Sequence, residues 1–424
     1  MMSRKQSTST QPFAGIRIAD FSWYGAGPIA TRFFANYGAE VIKLESHCNP
    51  DGLRRNGPFA GGTPGITLPG TAPIDSLNIS GYFANFNSNK LSLQVDLNLP
   101  EGREIAKRLV KISDIVIDNF TPRVMERWRL TYQDLVRIKP DIIVANLPML
   151  GSVGPQRDYV GFGFALSSLA GIDHLTGMPD DLPTSTGTNF PDYCCNPCHT
   201  TIALLAALRY RRKTGKGQHI EVAQLESTVQ ILGTALIDYT INGRIQSRRG
   251  NSNPSACPHG VYRCKGDDRW CAIAVFTDVE WASLCWAMGR EDLVQSPLFG
   301  TLQGRLARTS EVDDLVNRWT SSLSPEDVMA ILQREGVAAG VVQTAEDALD
   351  KDPQLAARNH WVYLDHPEAG RTAYNGETFR LSRTPGDIHS PAPCLGQHTE
   401  FVCRDLLGMT GDEVSALREE KVLY

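Results

Sequence analysis

An α/β fold, with a Rossmann-like parallel sheet in a large domain and a smaller α+β domain, is what the sequence predicts, on three observations. Short apolar strands alternate with helical runs through the first half of the chain. The first such unit reads as strand, Gly-rich turn, helix, strand. At 424 residues and 42% hydrophobic composition, the chain can bury a large core in about two domains.

The opening strand is Ile16-Arg-Ile-Ala-Asp-Phe21, followed by the loop Ser22-Trp-Tyr-Gly-Ala-Gly-Pro28 and a helical run from Ile29 to Tyr37. Gly38 to Glu45 returns as a second strand. The turn lacks G-x-G-x-x-G, so a dinucleotide site, and with it a nicotinamide oxidoreductase, is disfavoured. Residues 46–80, rich in Gly, Pro, Asn and Ser, form a long loop that can border a site. Asn87 to Asp96 is a turn into an alternating strand, and Pro100 opens an amphipathic helix with Ile105, Leu109 and Val110 on one face. Asp114–Asp118 and Ile142–Asn146 are further buried strands. Ligands of such a sheet sit beyond the carboxyl ends of its strands, where Trp23, Tyr24, Asn119, Phe120 and the 147–163 loop lie.

The apolar run from Thr200 to Leu208 is a helix, with Asn196 as N-cap and Pro197 in its first turn. His219 to Val222 leads into a helix reaching Ile241. A loop-like segment follows over 243–260, then a strand at Trp270–Ala274 and helices near 278–288, 310–320 and 325–335. Beyond Leu349 the chain reads as mostly irregular, with a final helix from Gly411 to Glu420.

A net charge of −5 and one short basic run, Arg209-Tyr-Arg-Arg-Lys213, at a helix end give no nucleic-acid footprint. Ten cysteines in so long a chain are no disulfide scaffold, and no apolar N-terminal segment resembles a signal peptide or a membrane span. The expected location is cytoplasmic, behind a disordered leader over 1–12. Cys195-Asn-Pro-Cys198-His199 has the C-x-x-C-H spacing of haem attachment, but attachment needs export. Cys257, Cys264 and Cys271 are separated by six residues each, and no second close pair completes a zinc set. The expectation is small buried thiols and no metal.

Asp192 lies in the Pro/Gly/Thr-rich stretch Pro183–His199, next to a helix N-terminus. Free N–H groups and the helix dipole there favour an ionised acid and any oxyanion formed on it. An ionised, unpaired carboxylate is a candidate nucleophile toward an activated acyl group. On residue type alone, a plain loop or capping role is the favoured reading.

Several stretches together resemble the family III CoA-transferases, the group with formyl-CoA:oxalate, carnitine and benzylsuccinate CoA-transferases and the α-methylacyl-CoA racemases. They are Asp20–Pro28, Gly38–Glu45, Asn87–Lys90, Asp118–Phe120, Leu204–Gln218 and Pro393–His398, in family order. The resemblance implies a large Rossmann-like domain built from both ends of the chain (13–212 and 349–424), a linker helix region (213–242), a small domain (243–348) and an interlocked homodimer. It makes Asp192 the catalytic aspartate, carrying CoA as a thioester between an acyl-CoA donor, with succinyl-CoA a common one in the family, and a carboxylic acid acceptor, with no ATP or metal. It assigns CoA contacts to Trp23, Tyr24, Gly25, Ala26, Lys90, Asn119, Phe120 and Arg127, the cations serving phosphates. An arginine that the formyl-CoA enzyme places after the second strand is Ser46 here, which leaves Arg54 or Arg55 to replace it.

The resemblance also matches Phe162-Gly163 to a Tyr-Glu pair near the nucleophile, and the 251–260 loop, with His259 and Gly260, to a glycine-rich mobile loop. Acceptor selectivity does not carry over across these differences. Racemases use a histidine where Phe162 stands, and phenylalanine cannot move a proton, so racemisation or isomerisation is the runner-up. Intramolecular CoA migration shares the aspartyl chemistry, and a non-catalytic acyl-CoA-binding subunit of a heteromeric transferase is the reading from another class.

Overall fold

The structure is a computed structural model that describes residues 11–62 and 77–424. The leader over 1–10 and residues 63–76 of the long loop lie outside the described residues. The chain divides into two compact units, one from the residues up to Ile172 with Ser185–Ile245 and Ala357–Tyr424, the other from Asp173–Thr184 and Gln246–Ala356.

In the larger unit six strands, β1 (Arg17–Asp20), β2 (Glu40–Glu45), β3 (Lys90–Gln94), β4 (Ile115–Asp118), β5 (Ile143–Asn146) and β6 (His219–Glu221), pair in parallel. Their order is β3-β2-β1-β4-β5-β6. The winding direction therefore reverses between β1 and β4, and the chain ends leaving those two strands diverge to open a crevice. Both faces of the sheet are apolar because both are covered. Ile18, Val41, Ile115 and Ile143 face the helices Ala26–Asn36 and Cys195–Thr214, through Phe34, Leu204 and Ala207. Ala19, Ile42, Leu93, Val116 and Val144 face the other way, against Ile105 and Leu109 of the helix Pro100–Lys111 and against Val402, Val414 and Leu423. The returning C-terminal segment is thus part of this core, and Leu423 bridges to Val95.

Beneath the carboxyl ends of β1 to β3 lies a buried charge cluster. Lys90 Nζ is 3.0 Å from Asp20, Lys43 Nζ is 2.9 Å from Asp51, and Arg54 binds both oxygens of Glu45 at 2.7 and 2.8 Å. Burial raises the Asp20 carboxyl, but the Lys90 and Lys43 ammoniums outweigh it and hold it below its ordinary value.

The smaller unit is a three-stranded antiparallel sheet, β7 (His259–Arg263), β8 (Trp270–Ala274) and β9 (Ala338–Val341). The helices Asp278–Ala287, Thr309–Thr320 and Pro325–Arg334 cover it around Trp281, Val316 and Leu332. Thr277 and Ser324 cap two of them through the N–H of the third helical residue.

Three expectations change. His219–Glu221 is not just a lead into a helix; it pairs with β5 as the sixth strand. The following helix is broken into Gln224–Val229 and Gly233–Asn242 by a short 3₁₀ turn at Gln230–Leu232. After Leu349 the chain is not merely irregular: β10 (Trp361–His366) and β11 (Gly370–Asn375) form an antiparallel hairpin. Exposed Tyr363, Asp365 and Arg371 dilute the apolar alternation that would have marked it.

Candidate active site

The crevice at the strand reversal holds a cavity of about 300 Å³, lined by Trp23–Ala26, Asn119, Phe120, Met149, Tyr159–Phe162, Asp192 and Gln224. The loops that wall it are tied across the reversal point. Trp23 N–H donates to Asn119 Oδ1 at 2.8 Å, and Asn119 Nδ2 donates back to Trp23 O at 2.7 Å. The Trp23 and Phe120 rings meet edge to face at 5.1 Å, as do Tyr24 and Phe162 at 4.7 Å.

Asp192 is 7% exposed, in the first turn of the four-residue helix Phe190–Tyr193. Its Oδ2 accepts from Gly163 N at 2.9 Å. Its Oδ1 faces Asn196 Nδ2 at a long 3.4 Å. No ion pair reaches it among the described residues. Burial therefore dominates, and the carboxyl is pushed up to about 6, with the Gly163 and Asn196 bonds opposing the rise.

This geometry corrects the local expectation at two points. The helix that serves Asp192 is Gly163–Ala170, whose first N–H groups go to Asp192 Oδ2 and, from Phe164, to Asn189 Oδ1 at 3.1 Å. Asn196 is not an N-cap. Cys194 holds that position with helical backbone angles, and Asn196 is already inside the helix. Its amide is freed to work sideways: Nδ2 also donates to Gln224 Oε1 at 3.1 Å, and Ser227 Oγ donates to its Oδ1. Gln224 Nε2 in turn donates to Leu147 O at 2.6 Å, just past β5. A polar chain thus runs from the sheet to the carboxylate, and every member is buried.

Close approach explains two glycines. A Cβ on Gly163 would lie 2.9 Å from Asn189 Cα and 3.0 Å from Asp192 Oδ2. On Gly25 it would lie 3.0 Å from the Tyr193 ring and 3.1 Å from Asp192 Cβ.

A second, smaller cavity of about 70 Å³ opens on the far side of the Trp23–Phe120 pair, lined by Ser46, Leu97, Arg127 and Trp128 among others. Arg127 is exposed and forms no ion pair among the described residues. Lys90 stands apart from both cavities. Its ammonium is buried against Asp20, Pro28 O and Asn87 Oδ1 at 2.9 to 3.0 Å. Arg54 is likewise buried on Glu45 and over the Phe83 ring, whereas Arg55 has a buried Nε without a partner among the described residues. His259 and Gly260 belong to the smaller unit, where His259 Nδ1 bonds Asn251 O at 2.5 Å. Of the C-x-x-C thiols, Cys195 is buried, while Cys198 and the neighbouring Cys194 are exposed. Residue patterns did not flag Asn196 as a partner of Asp192, nor Gln224, Ser227, Met149 or Tyr159. The resemblance had flagged Phe162-Gly163 near this position, but donation from the Gly163 backbone N–H carries no mark in residue type.

A family sequence model described as CoA-transferase family III matches residues 13–399. The chain belongs to CoA-transferase family III. It is similar to the succinyl-CoA–L-malate CoA-transferase beta subunit of Chloroflexus aurantiacus, with 34% identity covering 98% of this chain and 99% of that one. The succinyl-CoA–D-citramalate CoA-transferase of the same organism is 31% identical, covering 97% and 98%. A crystal structure of a CAIB/BAIF family protein from Brucella suis superposes with a TM-score of 0.83 at 28% identity, over 93% of this chain and 99% of that one. The protein is accordingly an enzyme of the CoA-transferase class, and CoA thioesters are substrates rather than bound cofactors. No helix among the described residues is long and apolar enough to cross a membrane.

Burial of Asp192 carries a stability signature. A carboxyl raised from 3.8 to about 6 keeps its proton longer in the folded state than in the unfolded chain. Stability is then lost as pH rises between those values, by about 3 kcal/mol in all. Asp192→Asn is expected to be more stable than the wild type by about 1–3 kcal/mol near pH 8, with the gap shrinking near pH 4, in paired urea titrations.

Proposed function

We propose that this family III enzyme moves CoA from an acyl-CoA donor, succinyl-CoA by preference, to a carboxylic acid through an aspartyl-CoA thioester on Asp192. The observation that carries the reading is a buried carboxylate that has, among the described residues, no cation beside it and one short hydrogen bond, and that faces an aromatic-walled cavity. Such a carboxylate is poorly solvated and correspondingly nucleophilic.

Asp192 Oδ1, the weakly held oxygen, attacks the donor carbonyl. The C–S bond breaks, CoA leaves as thiolate and a mixed anhydride forms. The thiolate then attacks the Asp192 carbonyl, expelling the donor acid and leaving the thioester. Oδ2 carries the developing negative charge in that step, and Gly163 N–H at the helix start is placed to receive it. A donor of this kind contributes about 3–4 kcal/mol to such a transition state. The acceptor carboxylate repeats both steps in reverse and regenerates Asp192. Each thioester made replaces one broken, so no ATP is consumed. Phe162, Tyr24 and Met149 wall the cavity against water, which would hydrolyse both intermediates.

For CoA itself, the reading places the pantetheine arm along Trp23, Tyr24, Gly25, Ala26, Asn119 and Phe120, with the nucleotide end toward the cavity of Arg127 and Trp128. Lys90 and Arg54 are already committed to buried carboxylates, so Arg127 and Arg55 are the better phosphate contacts. Succinyl-CoA as donor is supported by the names of the malate and citramalate relatives, and a further relative is named a succinate–glutarate CoA-transferase. A homodimer is supported by exposed apolar side chains on two helices, Ile202 and Leu205 on one, Ile237 and Ile241 on the other. A second reading, one chain of a two-chain transferase, is favoured by the beta-subunit relative.

Incubating the purified chain with succinyl-CoA and malate, citramalate or glutarate should yield the new acyl-CoA and free succinate in equal amounts, with ping-pong kinetics. Absence of transfer across a broad panel of acids would overturn the single-chain reading; activity regained only with a homologous partner chain would establish the second. In the active enzyme, kcat/KM for the acyl-CoA should fall below pH about 6 as Asp192 protonates, a limb that a flat profile down to pH 5 would contradict.

A further inference from the structure

The loop carrying two aromatic walls of the cavity is held at four successive backbone groups. Ser22 O accepts from Lys43 Nζ at 2.6 Å, Asn119 holds both polar groups of Trp23, and Tyr24 N–H donates to Asp51 Oδ1 at 3.0 Å. Lys43 and Asp51 have no exposed surface and lie 2.9 Å apart. Asp51 Oδ1 also accepts from Leu53 N at 3.0 Å, and Asp51 N–H donates to Glu45 Oε1 at 3.1 Å, so the carboxylate has little freedom to move.

Tyr24 needs such an anchor. Its φ is +59°, in the left-handed region that costs a non-glycine residue about 1–2 kcal/mol. The sequence places tyrosine there, immediately before Gly25, on which a Cβ would lie 3.1 Å from Asp192 Cβ. Relaxation of Tyr24 toward negative φ would swing its ring away from Phe162 and displace the Gly25 backbone beside the nucleophile. Asp51 Oδ1 is shared between Tyr24 N–H and Leu53 N–H, so it ties the Tyr24 loop to the capped turn Gly52–Arg55.

We propose that Asp51, steadied by Lys43, is a positioning residue for acyl transfer, acting by holding Tyr24 in its left-handed conformation next to Asp192. The inference rests on the reading of this cavity as the active site. Asp51 touches no reacting atom; its effect passes through Tyr24 and Gly25. A displacement of about 1 Å at a reacting centre costs on the order of a hundredfold in rate.

Three variants separate this role from a purely structural one. Asp51→Asn keeps an oxygen for Tyr24 N–H but removes the charge that balances Lys43. Asp51→Glu keeps the charge but moves the carboxylate by one methylene. Asp51→Ala removes both. Single-turnover transfer from succinyl-CoA and thermal unfolding are measured for each, with Asp192→Ala as control. The expected rates are within about threefold of wild type for Asp51→Asn, and reduced about ten- to hundredfold for Asp51→Glu and Asp51→Ala. Stability is expected to follow the other order, with Asp51→Asn losing more than Asp51→Glu. If Asp51→Ala does not fold, the contrast of Asn with Glu still decides. Rates that simply follow stability, with Asp51→Glu faster than Asp51→Asn, would overturn the inference alone. An Asp192→Ala control that transfers at the wild-type rate would overturn the active-site reading and the inference together.

Discussion

Burial of a carboxylate costs free energy that only a cation, hydrogen bonds or protonation can offset. Among the described residues Asp192 meets no cation, one short bond from Gly163 and one long bond from Asn196. The remainder of the cost appears as a raised carboxyl pKa. Much of the surrounding architecture follows from this choice. Gly163 is free of a side chain so that a helix start can reach Oδ2, and Gly25 is free of one so that the β1 loop can pass against Asp192. Gln224 and Ser227 fix an asparagine that would otherwise rotate.

The sheet supplies the frame. Its winding reverses between β1 and β4, so the loops after these strands part and then meet again through the Trp23–Asn119 pair. Under them sit Asp20, Glu45 and Asp51 with Lys43, Arg54 and Lys90, none more than 3% exposed. Three acids balance three bases, and loss of any one would strand its partner in the interior at a cost of about 3–5 kcal/mol. Loops that carry a site are ordinarily the soft part of an α/β fold. Here the backbone groups of the β1 loop are taken up by buried Lys43 and Asp51 and by the Asn119 amide, which gives the aromatic walls a fixed place.

The parallel strands were legible because a sheet covered on both faces needs continuous apolar runs, and Ile115-Val-Ile and Ile143-Val-Ala have them. β6 was not, because His219-Ile-Glu carries one apolar residue at a sheet edge. The pattern of residues 20–28 and 118–120 located the crevice, and Asp192 was singled out by residue type and family resemblance. The bonds to Asp192 were not legible: the resemblance flagged Gly163, but it acts through a backbone N–H, and Asn196 acts through a side chain that capping statistics assign elsewhere. Lys90 illustrates the converse limit. Its charge suits phosphate as well as carboxylate, and only the fold reveals that Asp20 already holds it.

The central claim is a covalent one, that Asp192 carries CoA during turnover, and the most direct test is the mass of the peptide containing it. The enzyme is incubated with succinyl-CoA, trapped with hydroxylamine or reduced with borohydride, digested and analysed beside an Asp192→Ala control. The account predicts a hydroxamate or a reduced side chain at Asp192 that the control lacks. An unmodified Asp192 in an enzyme that is transferring CoA, or a modification at another residue, would contradict it.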